Sequence, residues 1–258
     1  MLSKNKQKLI ASLAKKKYRD SHHLFIAEGD KLVTDLIANN LSCSLIVCTE
    51  QWHNNCHQAL TQCQEVIITD ANQIKKVSQL KSPPPVIGIF EQKKNTNTSI
   101  PLTEQLVLFL DEVQDPGNLG TIIRLADWFG IHHVVCSKDC ADVYNHKTIQ
   151  STMGAIARVH IHHADPIDFF EQARQTEIPV YGTFLEGENI YSQSLTNNGI
   201  IVMGNEGKGI SPTIAPYVSK KLFIPNYPAG ADTSESLNVS IATAIVCAEF
   251  RRRQLPSF

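Results

Sequence analysis

The sequence predicts an α/β protein in two parts, a small N-terminal α/β sandwich followed by a larger half built on a mostly parallel sheet. Three observations lead there. Short apolar runs alternate with helical patterns along the whole chain. The run Leu106 to Leu110, LVLFL, is continuously apolar with acidic residues after it, which fits a strand buried on both faces. Between the halves, Gln92 to Pro101 (QKKNTNTSIP) is polar, lacks periodicity and ends in proline, so it reads as a linker. The division expected is residues 1–95, a linker at 96–102, and 103–258.

The first helix carries Lys4, Lys6, Lys8, Lys15, Lys16, Lys17 and Arg19 around an apolar seam of Leu9, Ile10, Leu13 and Ala14. Strands are expected at Leu24 to Ala27, Ser44 to Thr49, Glu65 to Thr69 and Val86 to Glu91, with helices at Glu28 to Ala38 and Ala71 to Leu80. Formal charge is −1 overall but unevenly placed. Residues 1–100 hold 13 Lys/Arg against 8 Asp/Glu, and the remainder 11 against 17. Such a cluster can be a solvated face; the asymmetry favours phosphate contact, with Lys15, Lys16, Lys17 and Arg19 as the candidates.

In the second half, strands are expected near Leu106, Val134, Val180, Ile201 and Leu222. After the first of these, Asp115-Pro116 signals a turn, and Asn118 and Gly120 lead into a helix whose Ile122, Ala126 and Phe129 recur at helical spacing. Arg124 falls on the opposite stripe with Gly120 and Asp127, where it either pairs with Asp127 or meets a ligand. IVMGNEGKGIS, Ile201 to Ser211, is a strand broken by glycines, and LFIPNYPAGADTSESLN runs from a strand through a loop into the last helix. That helix, Leu237 to Arg252, is apolar nearly all round, so it is buried within one subunit or at a homodimer interface.

Several classes are excluded. Gly207-Lys208 is followed by Gly209 and preceded five positions earlier by Val202, so no phosphate-cradling G-x-x-x-x-G-K-[ST] loop is present, and G-x-G-x-x-G occurs nowhere. No apolar run approaches membrane-spanning length and MLSKNKQK lacks a signal-peptide core, which predicts a cytoplasmic protein with no membrane association. Seven cysteines without a C-x-x-C pair predict reduced thiols. Cys48, His53, Cys56, His57 and Cys63 crowd one region at spacings that match no standard zinc site, so no metal is expected. His132-His133 and His162-His163 read as strand ends.

Asn118-x-Gly120-x-x-x-Arg124, then Gly204-Asn205-Glu206-Gly207, then Ile224-Pro225 followed by Ser236-Leu237-Asn238-Val239-Ser240, resemble the three ordered motifs of the SpoU (TrmH-type) RNA ribose 2'-O-methyltransferases of the SPOUT superfamily. Ser151-x-x-Gly154-Ala155 resembles a fourth, weaker signature, and the loop between Pro225 and Ser236 is longer than usual in the family. The likeness covers roughly residues 103–258. The N-terminal part, through Phe25-x-x-Glu28-Gly29, resembles the ribosomal-protein-like substrate-binding domain that often precedes this catalytic domain. The resemblance implies a deep trefoil knot, a homodimer, S-adenosylmethionine as cofactor and structured RNA as substrate, ribosomal RNA ahead of transfer RNA. A non-catalytic RNA-binding assembly factor on the same fold is the alternative. It further implies Arg124, Asn118, Glu206, Ser236 and Asn238 as catalytic residues, Arg124 acting across the dimer. Cofactor contacts would come from Thr183, Leu185, Gly204, Asn205, Gly207, Ile224 and Leu237. A guanidinium is not deprotonated in proteins, so Arg124 suits a phosphate clamp better than a general base. Ser236 and Asn118 also have structural uses as helix cap and turn residue.

Overall fold

The computed structural model describes residues 2–93, 100–228 and 234–254. Residues 94–99, most of the expected linker, and 229–233, inside the long loop, lie outside the described residues, as does the side chain of His57. In chain order the elements are α1 (Lys4–Ser12), α2 (Lys16–His22), β1 (Leu24–Glu28), α3 (Asp30–Ala38), β2 (Cys43–Cys48), α4 (Glu50–Asn55), β3 (Val66–Ile68), α5 (Ala71–Lys75) and β4 (Val86–Glu91). They continue as β5 (Leu106–Leu110), α6 (Pro116–Trp128), β6 (His133–Cys136), α7 (His146–Thr152), β7 (His160–His163), α8 (Pro166–Arg174), β8 (Val180–Asn189), β9 (Gly199–Met203), β10 (Lys220–Phe223) and α9 (Val239–Arg252).

The chain divides into two compact units, Met1–Lys94 with Asp142–Arg158, and Asn95–Ala141 with Val159–Phe258. The first is a four-stranded sheet in the order β1-β4-β2-β3, with β2 and β3 parallel and β4 antiparallel to both its neighbours. Ile26, Leu45, Val47, Ile87 and Ile89 of the sheet pack with Ile10 and Leu13 of the α1 region and Ile74 and Val77 of the α5 region.

The expected single basic helix is broken into α1 and α2. The break leaves the Leu13 and Ala14 carbonyls without helical partners, and the Arg19 guanidinium folds back to donate to both, at 2.8 and 2.9 Å. Arg19 is buried and also pairs with Asp142. This expected RNA-contacting cation is thus directed into the unit, and its Nε is buried without a hydrogen-bond partner among the described residues. Lys15, Lys16 and Lys17 are exposed.

Asp142–Arg158 departs from the sequence division, because its side chains complete the first unit. Besides Asp142, the Tyr144 ring lies 5.0 Å from that of Phe25, His146 Nε2 sits 3.1 Å from the buried carboxylate of Glu28, and Gln150 donates to the Glu28 carbonyl. Gly154, from the weakest of the motifs, has φ +94°, and a Cβ there would lie 1.8 Å from Asp35 Oδ2. Only glycine allows that approach.

The second unit holds a six-stranded sheet, parallel throughout, in the order β10-β8-β9-β5-β6-β7. Every residue of β5 and β9 is buried, as a strand covered on both faces requires. Phe109, Val135, Val180 and Val202 form a core with Phe169 and Phe170 of α8. Phe250 of α9 meets Tyr181 edge-on at 4.8 Å. The half-exposed edge strand β7 ends on His162-His163, the pair expected at a strand end. From β5 the chain moves outward to β6 and β7, then returns to the other side of β5 through β8, β9 and β10. The order therefore reverses between β5 and β9, where parallel sheets open a crevice at the carboxyl ends of their strands.

Candidate active site

The residues that follow β5 and β9 meet at this reversal. Asp115 caps α6 by accepting from Asn118 N at 2.9 Å, with Pro116 at the first helical position. Asn118 and Gly120 thus lie within the opening turns of α6. Asn118 is held by its backbone while its amide remains available.

After β9, the segment from Gly204 to Gly209 closes into a tight turn. Asn205 and Gly209 exchange two backbone hydrogen bonds of 2.9 Å. Asn205 Oδ1 accepts from the Gly207 and Lys208 N–H groups at 2.9 and 3.1 Å, and Asn205 Nδ2 donates to the Glu112 carbonyl at 2.9 Å. A Cβ on Gly204 would lie 2.3 Å from the Gly209 carbonyl carbon, so the turn closes only with glycine there. Asp111, buried beside it, accepts from Ser211 N at 2.7 Å, and burial pushes its carboxyl up.

Glu206, at the tip of this turn, accepts from Asn118 Nδ2 at 2.9 Å, and Asn118 Oδ1 accepts from Asn238 Nδ2 at 3.1 Å. Asn238 Oδ1 in turn accepts from Ser240 N at 2.9 Å and from the Ile241 N–H. Backbone N–H groups can only donate, so the amide of Asn238 has one possible orientation, and that of Asn118 follows from it. The relay consequently has a fixed polarity and ends on the Glu206 carboxylate. It joins the starts of α6 and α9 to the end of β9. Asn238, not Ser236, is the N-cap of α9, and the helix begins at Val239.

Ser236 and Arg124 are exposed and have no hydrogen-bond or ion-pair partner among the described residues. The structure therefore does not bring them into the relay, and Arg124 does not pair with Asp127. The expected cofactor residues occupy the ends of three adjacent strands. In β8 the pairing with β10 jumps from Gly182 opposite Lys221 to Glu188 opposite Leu222, so the residues between leave the ladder. Thr183 and Leu185 lie in that excursion, Leu185 being 70% exposed. Gly204, Asn205 and Gly207 follow β9, Ile224 follows β10, and Leu237 is exposed just before α9. Asp111, Glu112 and Asp115, which hold this edge together, were not among the predicted site residues. An Asp-Pro pair opening a helix was the available signal for Asp115.

Residues 105–248 match the SpoU rRNA Methylase family model, more than half of the chain. The chain belongs to the SpoU rRNA Methylase family. Residues 4–88 match the MRM3-like substrate binding domain. Among curated relatives, the SpoU chain is 28% identical over 238 residues, 92% of each protein, to the 23S rRNA (guanosine(2553)-2'-O)-methyltransferase RlmP of Bacillus subtilis. A TrmH-family structure from Porphyromonas gingivalis superposes with a TM-score of 0.88 at 40% identity, covering 98% of this chain and 99% of that one. An AdoMet-bound rRNA methyltransferase from Sinorhizobium meliloti gives 0.87 at 30% identity, covering 99% and 97%.

Proposed function

We propose that this SpoU-family chain is an S-adenosylmethionine-dependent methyltransferase acting on a ribose 2'-hydroxyl of ribosomal RNA, in the cytoplasm. The observation that carries the proposal is the relay Asn238–Asn118–Glu206 at the reversal of a parallel sheet, within a family of rRNA methylases. The relatives named as 23S rRNA and rRNA methyltransferases support ribosomal RNA as the substrate. No helix among the described residues is long and apolar enough to cross a membrane.

The residues present suit S-adenosylmethionine. The excursion in β8, the glycine turn after β9 and the end of β10 offer backbone donors and acceptors, and Leu185 and Leu237 offer exposed apolar surface for an adenine ring. Beside Gly207, a Cβ would meet only Asn205 Oδ1, at 3.7 Å, which leaves its backbone approachable. When bound, the cofactor supplies an activated methyl group. Thr183, Leu185, Gly204, Asn205, Gly207, Ile224 and Leu237 would hold it.

A ribose hydroxyl is a poor nucleophile near neutral pH, so it must be aligned and its developing negative charge stabilised. Arg124 has the free charge for this: it clamps the phosphate beside the target ribose and stabilises the alkoxide. The relay fixes Glu206 as the nearby acceptor, and Ser236, unengaged by any cap, contacts the ribose.

The homodimer belongs to the same proposal. Trp128 on α6 is 81% exposed and Ile241 on α9 is 53% exposed, apolar surface that a second copy would cover. In this arrangement Arg124 serves the partner's cofactor. The trefoil knot is likewise part of the proposal, supported by the adjacency of β8, β9 and β10. In the first unit, the exposed Lys15, Lys16 and Lys17 would grip the RNA backbone. The test is calorimetric titration with S-adenosylmethionine, then methyl transfer to deproteinised ribosomal RNA. Binding and transfer are expected; absence of both contradicts the proposal.

A further inference from the structure

Helices α6 and α9 carry two members of the relay, and they are tied together at both ends. At their starts Asn238 Nδ2 donates to Asn118 Oδ1. At their far ends the tie is Arg251, half-buried in the last turn of α9. Its Nε donates to the Phe129 carbonyl at 2.6 Å and its Nη2 to the Gly130 carbonyl at 2.9 Å. Because start is joined to start and end to end, the two helices run side by side in the same direction, with both starts at the crevice. We propose that Arg251 is a positioning residue for methyl transfer: it holds α6 against α9 so that the relay stays closed and Arg124 keeps its direction.

The way α6 ends creates the need for such a tie. Gly130, with φ +61°, turns the chain out of the helix; the Ile131 N–H returns to the Ala126 carbonyl at 2.8 Å and the Gly130 N–H to the Asp127 carbonyl at 3.2 Å. The Phe129 and Gly130 carbonyls then accept from no backbone N–H among the described residues. A guanidinium presents its N–H groups in a rigid fork, so one side chain satisfies two adjacent carbonyls at a fixed spacing. It also sets a cation at the negative ends of two parallel helices, where like partial charges are otherwise crowded. Gln254 Oε1 accepts from Arg251 Nη1 at 2.6 Å and so engages the third nitrogen.

The tie reaches the site through α6 itself. That helix is continuous from Pro116 to Trp128, so a shift at its end is passed to its start. Arg124 lies between the two ties, six residues after Asn118 and five before Phe129. A helix held at one end can still pivot; held at both, it can neither slide along its neighbour nor roll about its own axis. The inference rests on the proposed reaction, because it concerns groups that act together in that reaction.

Arg251→Met keeps the apolar stem and removes the fork. Its kcat should fall about 10- to 100-fold, as expected when reacting groups are displaced by up to about 1 Å. The KM for ribosomal RNA and the calorimetric affinity for S-adenosylmethionine should stay at their wild-type values. In Asn238→Asp protein, where the relay is already open, the same substitution should lower kcat by a smaller factor, since residues acting through one network are not additive. A side chain that only stabilised the fold would reduce turnover by the same factor in both backgrounds. Wild-type kcat in Arg251→Met, or an equal loss in the two backgrounds, would overturn the proposal. Should Arg251→Met fail to fold, Arg251→Lys, which keeps a cation at both helix ends without the fork, carries the same expectations in smaller measure. If the unsubstituted protein transfers no methyl group, the proposed function fails, and NMR of the Asn118 and Asn238 side-chain amides still decides the tie. Their signals should move in Arg251→Met; unchanged signals would overturn it.

Discussion

Asn238 has two tasks, and a pair of substitutions separates them. Its Oδ1 caps α9 and its Nδ2 orients Asn118. Asn238→Ala removes both and should lower stability by about 1 kcal/mol, the usual effect of losing a cap. Asn238→Asp keeps the acceptor, with a charge that the helix N-terminus favours, but cannot donate to Asn118. Its melting temperature should match that of the wild type, while turnover falls in both variants; wild-type turnover in Asn238→Asp would show that the relay does not matter. Arg124 has no partner to lose among the described residues, so Arg124→Ala should leave cofactor affinity unchanged while turnover drops by about 10²- to 10³-fold. The two-residue shift of the cap was not legible from the sequence. Ser236 and Asn238 are both good caps, and the choice depends on the tertiary bond to Asn118. The motifs named Asn118, Glu206 and Asn238, which the fold joins by hydrogen bonds, but sequence order carries no information on which amide donates to which.

At the scale of elements, β5 and the start of α6 were readable because a strand buried on both faces is continuously apolar and an Asp-Pro pair marks a helix start. The edge strand β7 was readable only through the His162-His163 pair at its end. Its sequence HIHH is half-exposed and polar, so it carries no apolar signal. Its pairing with β6 stacks His133 between His160 and His162, with ring centroids 5.1 and 5.2 Å away, and His133 Nδ1 hydrogen-bonds His162 Nε2 at 2.9 Å. Burial, and then the neighbouring His162, His160 and His132, lower the His133 pKa from 6.5 to about 4. A histidine held neutral on folding stabilises the protein above its ordinary value, and that stability is lost as pH falls through 6.5 towards 4. Melting temperature should therefore drop more steeply over that interval in the wild type than in His133→Phe. Parallel curves would contradict the assignment. The break between α1 and α2 was hidden, since helical periodicity in Leu9 to Ala14 cannot show that Arg19 will fold back on the helix end.

For the whole molecule, the sequence suggested a cut near residue 95, but the first unit is incomplete without Asp142–Arg158. The pattern rules identify elements and leave open which body an element joins; Asp142, Tyr144 and His146 carry no periodic signal. A fragment of residues 1–95 would strand the buried Arg19 without Asp142 and Glu28 without His146. Removing one partner of a buried pair costs about 3–5 kcal/mol, a large share of a domain's stability of about 5–15 kcal/mol. The fragment should show no cooperative thermal unfolding by circular dichroism, and grafting 142–158 after residue 94 through a flexible linker should restore it. A cooperative transition in the bare fragment would contradict this. Neutralising Lys15, Lys16 and Lys17 together should flatten the salt dependence of RNA binding by about 0.7–0.9 for each phosphate they neutralise in the wild type; an unchanged slope would make them a solvated face. The central claim is the ribose 2'-hydroxyl, and it is tested most directly by incubating the protein with S-adenosylmethionine and ribosomal RNA, then fragmenting the RNA in alkali. A 2'-O-methyl removes the nucleophile that attacks the neighbouring phosphodiester, so one linkage should become resistant, and an RNA with 2'-deoxyribose at that position should accept no methyl group. Methyl transfer to the deoxy substrate would place the reaction on a base and contradict the account.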